Sequence, residues 1–248
     1  MKIGIAGCEG RMGQTLIAAT RADARFTLAG GSEREPVKTD FPVVISAAEL
    51  VSMSDAVIDF TSPENSLAIA EAAAGKGRIH IIGTTGFTPA QQQKLAGFAA
   101  KARIVQSGNF SLGVNLLEKL VEVAAKQLAD DYDIEIFEMH HKHKKDAPSG
   151  TALMLGAAAA RGRGVSLAEK KSIDRDGVRK VGDIGFSVAR GGDVVGIHTV
   201  TFAGGGEIIE LKHQGFSREI YAKGALHAAL WAHTQEVGLY SMRDVLAD

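Results

Sequence analysis

The sequence predicts an α/β protein: a parallel sheet covered on both faces by helices, followed by a second α+β domain with a mixed sheet. Three observations carry that expectation. Over about the first 110 residues, short apolar runs alternate with helix-like segments. Those runs are apolar on both faces, as strands of a covered parallel sheet must be. After Phe110 the pattern shifts to β-rich runs separated by glycine-bearing junctions.

Taken in order, strands are expected at 2–6, 26–30, 56–60, 79–82 and 103–106, with helices at 14–21, 63–74 and 89–101 between them. Turn-rich segments GCEG, SER, TSPE, GTTG and SGNF follow the strands. In sheets of this kind, ligands bind in the crevice at the carboxyl ends of the strands. Beyond Phe110 the sequence predicts a helix at 113–128, a strand at 133–139 and an alanine-rich helix from Thr151. Segment 161–180 is charged, contains glycine and lacks a clear period, so it reads as a mobile loop or a long crossover. Runs at 184–190, 194–202 and 207–213 read as antiparallel strands with DVV and AGGGE as the turns at their junctions. A last helix at 218–236 has Ile220, Leu226, Leu230 and Trp231 available for burial. No internal repeat is visible. The economical division is residues 1–110 plus 218–248 as one domain and 111–217 as the other.

Composition narrows the class without choosing a function. The chain has 248 residues, 45% apolar, and a net charge of −1. No apolar run approaches the roughly 18 residues that a membrane span needs. The opening MKIGIAGCEG lacks a small-residue cleavage site and reads as a first strand rather than a signal peptide. The single cysteine excludes an internal disulfide and fits a reducing, cytoplasmic setting. Near-neutral charge argues against nucleic acid as a partner.

The first chemical signal is IGIAGCEGRMG, which places Gly7, Gly10 and Gly13 between the first strand and the first helix. The spacing is G-x-x-G-x-x-G, with Glu9 where the commoner motif has its middle glycine. Gly7 permits the tight turn, Gly10 lets backbone amides approach a pyrophosphate, and Gly13 allows close helix packing. The helix N-terminus offers free N–H groups and partial positive charge, and Arg11 adds a full charge. Glu33 follows the second strand, where an acid accepts the ribose hydroxyls of NADH, and Arg34 beside it can pair with the 2′-phosphate of NADPH. Cys8 reads as a small packing residue. A purely structural glycine turn is the competing explanation, weakened by the match of position and following acid.

The second signal is EMHHKHKKDAPSGTA at 138–152. His141 and His143 alternate as metal ligands can, but no spaced carboxylate or cysteine completes a site, so no metal is expected. A solvated charge run is the plain alternative. The flanking DAPSGTA favours an anion-binding catalytic loop: Ser149 suits a helix N-cap, and Gly150 and Thr151 expose the first amides. Histidine moves protons near neutral pH, and a lysine crowded by cations gives up its proton more readily. A nicotinamide cofactor with an anion pocket amounts to reduction of a C=N or C=C bond in an acidic metabolite, a dicarboxylate above all.

At this point the sequence resembles the 4-hydroxy-tetrahydrodipicolinate reductase family, long called dihydrodipicolinate reductase, of the diaminopimelate and lysine pathway. The resemblance rests on GCEGRMG, SER at 32–34, VIDFTSPE at 57–64, IGTTGF at 82–87, GNFSLGVN at 108–115 and EMHHKHKKDAPSGTA, so it runs nearly end to end. It implies a Rossmann-type cofactor domain and a mixed-sheet domain that binds substrate and builds a homotetramer. It implies that His140 is the acid/base residue and Lys144 the proton donor. His141 would touch one substrate carboxylate, and Ser149, Gly150 and Thr151 would hold the other. Gly7, Cys8, Glu9, Gly10, Arg11 and Met12, with Glu33 and Arg34, would bind the adenosine and pyrophosphate end of NADH or NADPH. Gly83, Thr84 and Thr85, with Ser107, Gly108, Asn109 and Phe110, would flank the nicotinamide. Lys142 stands where the family commonly has arginine, Lys145 where an apolar residue is frequent, and Ile197 where a glutamate is usual; segment 36–54 is short.

Two rival readings differ in what they require. A semialdehyde-type dehydrogenase needs a nucleophilic cysteine beside a histidine, and Cys8 lies in the phosphate loop instead. A non-catalytic NAD(P)-binding sensor has no need of Lys144 beside a helix N-terminus.

Overall fold

In the computed structural model, which describes residues 1–247, the chain forms two compact units: residues 1–112 with 218–247, and residues 113–217. In the first, β1 (Lys2–Ala6), α1 (Arg11–Ala22), β2 (Thr27–Ser32), β3 (Val43–Val44), α2 (Ala47–Met53), β4 (Ala56–Asp59), α3 (Pro63–Lys76), β5 (Ile79–Ile82), α4 (Pro89–Phe98) and β6 (Arg103–Gln106) follow in order. Then α5 (Leu112–Gln127) leads into the second unit. That unit holds β7 (Asp133–His140), α6 (Gly150–Arg163), α7 (Leu167–Lys170), β8 (Lys171–Ile173), β9 (Ile184–Arg190), β10 (Gly196–Ala203) and β11 (Ile208–Gly215). The chain closes with α8 (Glu219–His233), β12 (Gly238–Tyr240) and α9 (Met242–Val245) in the first unit.

The first sheet has seven parallel strands in the order β12-β6-β5-β4-β1-β2-β3. Strand order reverses between β1 and β4, which is where a doubly wound sheet opens its ligand crevice. The central strands are apolar on both faces, with Ile3, Ile5, Ile58 and Ile81 fully buried. On one face α1 and α8 cover them, and the alanines of α8 (222, 225, 228, 229 and 232) let that helix lie close to Ile58, Ile81 and Val105. Two of the helices start at capping sequences: Pro63 follows the N-cap Ser62, and Thr88 and Gln91 close a capping box ahead of α4.

The second sheet is mixed, in the order β11-β10-β7-β9-β8. β10 runs antiparallel to β7 and β11, while β7, β9 and β8 are parallel. Its inner face carries Ile134, Ile136, Phe186, Val200 and Phe202 against Leu117 and Val121 of α5 and Leu155 and Ala159 of α6. Phe137 of β7 and Ile208 of β11 remain exposed on the other face.

Several expectations are corrected here. The runs at 184–190 and 194–202 are not a hairpin: β7 lies between them, so DVV joins strands that do not pair. The AGGGE junction does turn a hairpin, β10 to β11. Of the two readings of segment 161–180, the crossover holds over the loop: it includes α7 and the edge strand β8. Its following turn is tethered, with Arg179 paired to Asp133 at 2.8 Å and to Glu135 at 3.0 Å. Segment 36–54 contains β3 and α2, whose short apolar content hid them. The first helix begins at Arg11 rather than 14, because Gly10 adopts the extended N-cap conformation. Among the described residues, no helix is long and apolar enough to cross a membrane.

Candidate active site

In the first unit, one candidate region lies at the carboxyl ends of β1, β2 and β4. Gly7 has φ +69°, a conformation that a side chain would strain, and this bends the chain from β1 toward α1. Gly13 is needed for a different reason: a Cβ there would sit 2.2 Å from the Gly7 carbonyl oxygen. The close approach is therefore to the turn itself rather than to the strand. The N-terminus of α1 has no side-chain cap and no acid in its first turn, so its field is left for an anion. Glu33 ties this turn to β2, its Oε1 accepting the Glu9 N–H at 2.7 Å. A cleft of about 330 Å³ is lined by Gly7, Gly10, Glu33, Arg34, Thr61 and Asn65, among others. Arg11 is exposed and Met12 half-buried at its side. Cys8 is fully buried, and burial pushes its thiol up to about 11, with Glu33 and Glu9 adding to the effect, so it is an inert packing residue.

The loops after β4 and β5 are fixed by a residue that the motifs did not single out. Asp59 is completely buried and accepts from the Thr61 N–H at 3.0 Å, the Thr61 hydroxyl at 2.6 Å, the Thr84 hydroxyl at 3.3 Å and the Ser66 hydroxyl. His80 Nε2 stands 3.4 Å away, and the Thr61 N–H also reaches Thr84 Oγ1 at 2.9 Å. Burial works against the charge, but His80 and the hydroxyls outweigh it and hold the carboxyl below its ordinary pKa. Gly83 joins the network through its N–H to the Asp59 carbonyl at 2.8 Å. Thr85 and Gly108 are exposed, Ser107 is half-buried, and Asn109 supplies Oδ1 to the Ser111 N–H at 2.8 Å. Phe110 is fully buried, edge-on to Phe60 at 5.7 Å, so its ring shapes the loop from within the core.

In the second unit, a further candidate region is built on the end of β7 and the start of α6. Two-residue periodicity puts Glu138 and His140 on the inner face of β7, and both are buried. Glu138 is a hub. Its Oε2 lies 2.6 Å from His140 Nδ1 and its Oε1 accepts the Ser149 N–H at 2.9 Å. Arg190, at the end of β9, grips both oxygens, at 2.8 and 3.0 Å. Burial opposes ionisation of Glu138, but Arg190, His140 and the Ser149 amide overcome it and lower its pKa. Burial also pushes His140 below its ordinary value, Glu138 opposing and Lys144 and Arg190 reinforcing the fall. The pair at neutral pH is therefore a carboxylate with a neutral imidazole. Nδ1–H donates to Glu138, and Nε2 is the ring atom left to exchange protons.

Ser149 caps α6, accepting the Ala152 N–H at 3.2 Å. The helix starts at Gly150, one residue ahead of the predicted start; Gly150 is exposed and Thr151 half-buried. The Lys144 ammonium pairs with Asp146 at 2.9 Å, so its ion-pair partner is a carboxylate rather than the cationic crowd the sequence suggested. His141 is half-buried, its Nδ1 without a partner among the described residues, and its ring lies 6.2 Å from that of His143. Lys142 and Lys145 are exposed. Sequence reasoning missed Asp59, Glu138, Arg190 and His198. Two of them carried a readable signal: an acid inside an apolar strand run (VIDF), and an acid two residues before a histidine on a strand.

Comparison with known proteins covers both units. Residues 1–110 match the family described as dihydrodipicolinate reductase, N-terminus, and residues 113–246 match dihydrodipicolinate reductase, C-terminus. A 4-hydroxy-tetrahydrodipicolinate reductase of Dinoroseobacter shibae is 49% identical, covering 98% of this chain and 96% of its own. One from Mesorhizobium japonicum is 48% identical, covering 99% and 97%. Among solved structures, a dipicolinate-bound dihydrodipicolinate reductase from Paenisporosarcina sp. TG-14 has the same fold, with a TM-score of 0.82 over 99% of each chain at 24% identity. A diaminopimelate dehydrogenase of C. glutamicum shares the fold more distantly, with a TM-score of 0.61 over 98% of this chain and 93% of that one at 13% identity.

Proposed function

Because the chain belongs to the dihydrodipicolinate reductase family, we propose that it is the NAD(P)H-dependent reductase of 4-hydroxy-tetrahydrodipicolinate in diaminopimelate and lysine biosynthesis. The observation that carries this reading is the Glu138 hub, which sets a proton-exchanging imidazole and a helix N-terminus suited to a carboxylate on one buried anion. The unit made of residues 1–110 and 218–248 holds the cofactor, and residues 111–217 bind substrate and assemble the homotetramer, acting in the cytoplasm.

Gly7 to Met12 and the α1 N-terminus fit a pyrophosphate, Glu33 fits ribose hydroxyls, and Arg34 fits a 2′-phosphate, so both NADH and NADPH are used. The Asp59 network positions Gly83, Thr84 and Thr85 for the nicotinamide end, together with Ser107 to Phe110. When bound, the reduced cofactor supplies a hydride. Reduction of this substrate also releases water, which requires a proton at the leaving oxygen. Lys144 delivers it, and His140 exchanges protons through Nε2 while Glu138 holds its Nδ1–H. Ser149, Gly150 and Thr151 grip one carboxylate with a hydroxyl and backbone amides, and His141 meets the other.

The test is spectrophotometric: loss of NADH or NADPH when the condensation product of pyruvate and aspartate semialdehyde is added to the purified protein. Turnover is expected with both. Tight cofactor binding without turnover on either would make the chain an NAD(P) sensor.

A further inference from the structure

We infer that His198 is a positioning residue whose Nε2–H donates to the Ser149 hydroxyl, leaving that hydroxyl's hydrogen free for a substrate carboxylate. The inference rests on Ser149 being a carboxylate ligand, as proposed above.

His198 lies on β10 directly opposite Glu138 in the antiparallel register. It shares the inner face with Gly196, where a Cβ would stand 3.1 Å from His140 Nε2. β10 therefore offers no side chain at Gly196 against the reactive edge of His140 and an imidazole one step further along. That imidazole is 4% exposed and meets the His140 ring edge-on at 5.0 Å. Its Nε2 lies 3.2 Å from Ser149 Oγ, while its Nδ1 is buried without a partner among the described residues.

Those two facts fix the tautomer. Burial, reinforced by His140, lowers the His198 pKa to about 3, so the ring is neutral at working pH and carries one N–H. A hydrogen on Nδ1 would be a buried donor with no acceptor, which folded proteins avoid more strictly than an unused acceptor lone pair. A hydrogen on Nε2 has the Ser149 oxygen to meet. That oxygen also accepts the Ala152 N–H at 3.2 Å. A hydroxyl has two acceptor lone pairs and one hydrogen. With both lone pairs committed to protein N–H groups, Ser149 can act only as a donor. Donor-only character matches an ionised carboxylate, which only accepts.

The inference is tested on the full-length protein with NADH bound and pyridine-2,6-dicarboxylate as probe. His198→Leu removes the donor and is expected to weaken the probe by about tenfold, with a matching rise in KM and a smaller change in kcat. NADH affinity should stay unchanged. His198→Gln, whose amide N–H can occupy the place of Nε2–H, should recover most of the loss. In a Ser149→Ala background, His198→Leu should add little, because the two act as a unit. Fully additive losses, or a folded His198→Leu protein with unchanged probe affinity, would overturn the inference. Ser149→Ala with unchanged probe affinity would instead overturn the carboxylate role of Ser149. Nitrogen-15 NMR of the unmutated protein reads the tautomer without any variant: a protonated Nδ1 on His198 would overturn the inference by itself.

Discussion

Glu138 shows how one buried side chain sets the chemistry of its neighbours. The folded protein keeps it ionised where an unfolded chain would take up a proton. Its contribution to stability is therefore complete above the ordinary carboxylate value of 4.5 and is lost as pH falls through the lowered one. Glu138→Gln should flatten the acid limb of the Tm–pH curve below pH 4.5. It should also cut kcat by about tenfold to a hundredfold, since glutamine keeps one acceptor oxygen where His140, Ser149 and Arg190 share two, and an NH2 facing His140 Nδ1 would reverse its tautomer. An acid limb as steep as before would place the titrating group elsewhere. Lys144 makes a simpler case. Paired with Asp146 and one-fifth exposed (22%), it contributes little to the core. Lys144→Ala should lower kcat by about two to four orders of magnitude while leaving NADH affinity intact. Pre-steady-state and equilibrium binding measurements separate the two effects, and normal turnover would remove lysine from the mechanism.

At the scale of elements, the turn between β1 and α1 carries the sharpest prediction. Gly13→Ala forces a methyl group to within 2.2 Å of the Gly7 carbonyl, and that carbonyl belongs to backbone, which cannot swing aside. The turn must open, so the variant should lose about 1–3 kcal/mol of stability and bind NADH more weakly, by thermal melts and fluorescence titration. Unchanged binding would mean the turn is not the pyrophosphate seat. This turn was legible in the sequence because its requirement is local: glycines at set spacing after an apolar run. The basic segment was legible for the same reason, as Ser149 and the residues after it spell a helix start. The partners that orient those residues were not. Glu138, Arg190 and His198 come from three strands whose pairing, with β7 between β9 and β10, is a property of the sheet and not of any window of sequence. The short β3 and α2 escaped because neither is long enough to show a period.

For the whole molecule, the open face of the second sheet is the surface to test. Phe137 is 40% exposed in the middle strand of that face and Ile208 is 65% exposed near its edge, which suits burial against further copies of the chain. If the proposed homotetramer assembles through this face, Phe137→Lys should shift its sedimentation toward smaller species, leaving far-UV circular dichroism unchanged. A variant that still sediments as a tetramer would move the assembly surface elsewhere. The first sheet has a different history. Its covering helix α8 and its edge strand β12 come from the last part of the chain, after the entire second unit. On the ribosome, the side of β4 to β6 that α8 will cover must wait, bare, while the second unit is made. Premature termination after β6 but before residue 219 would thus leave the first unit with an uncovered apolar surface, a species for chaperones and proteases to handle.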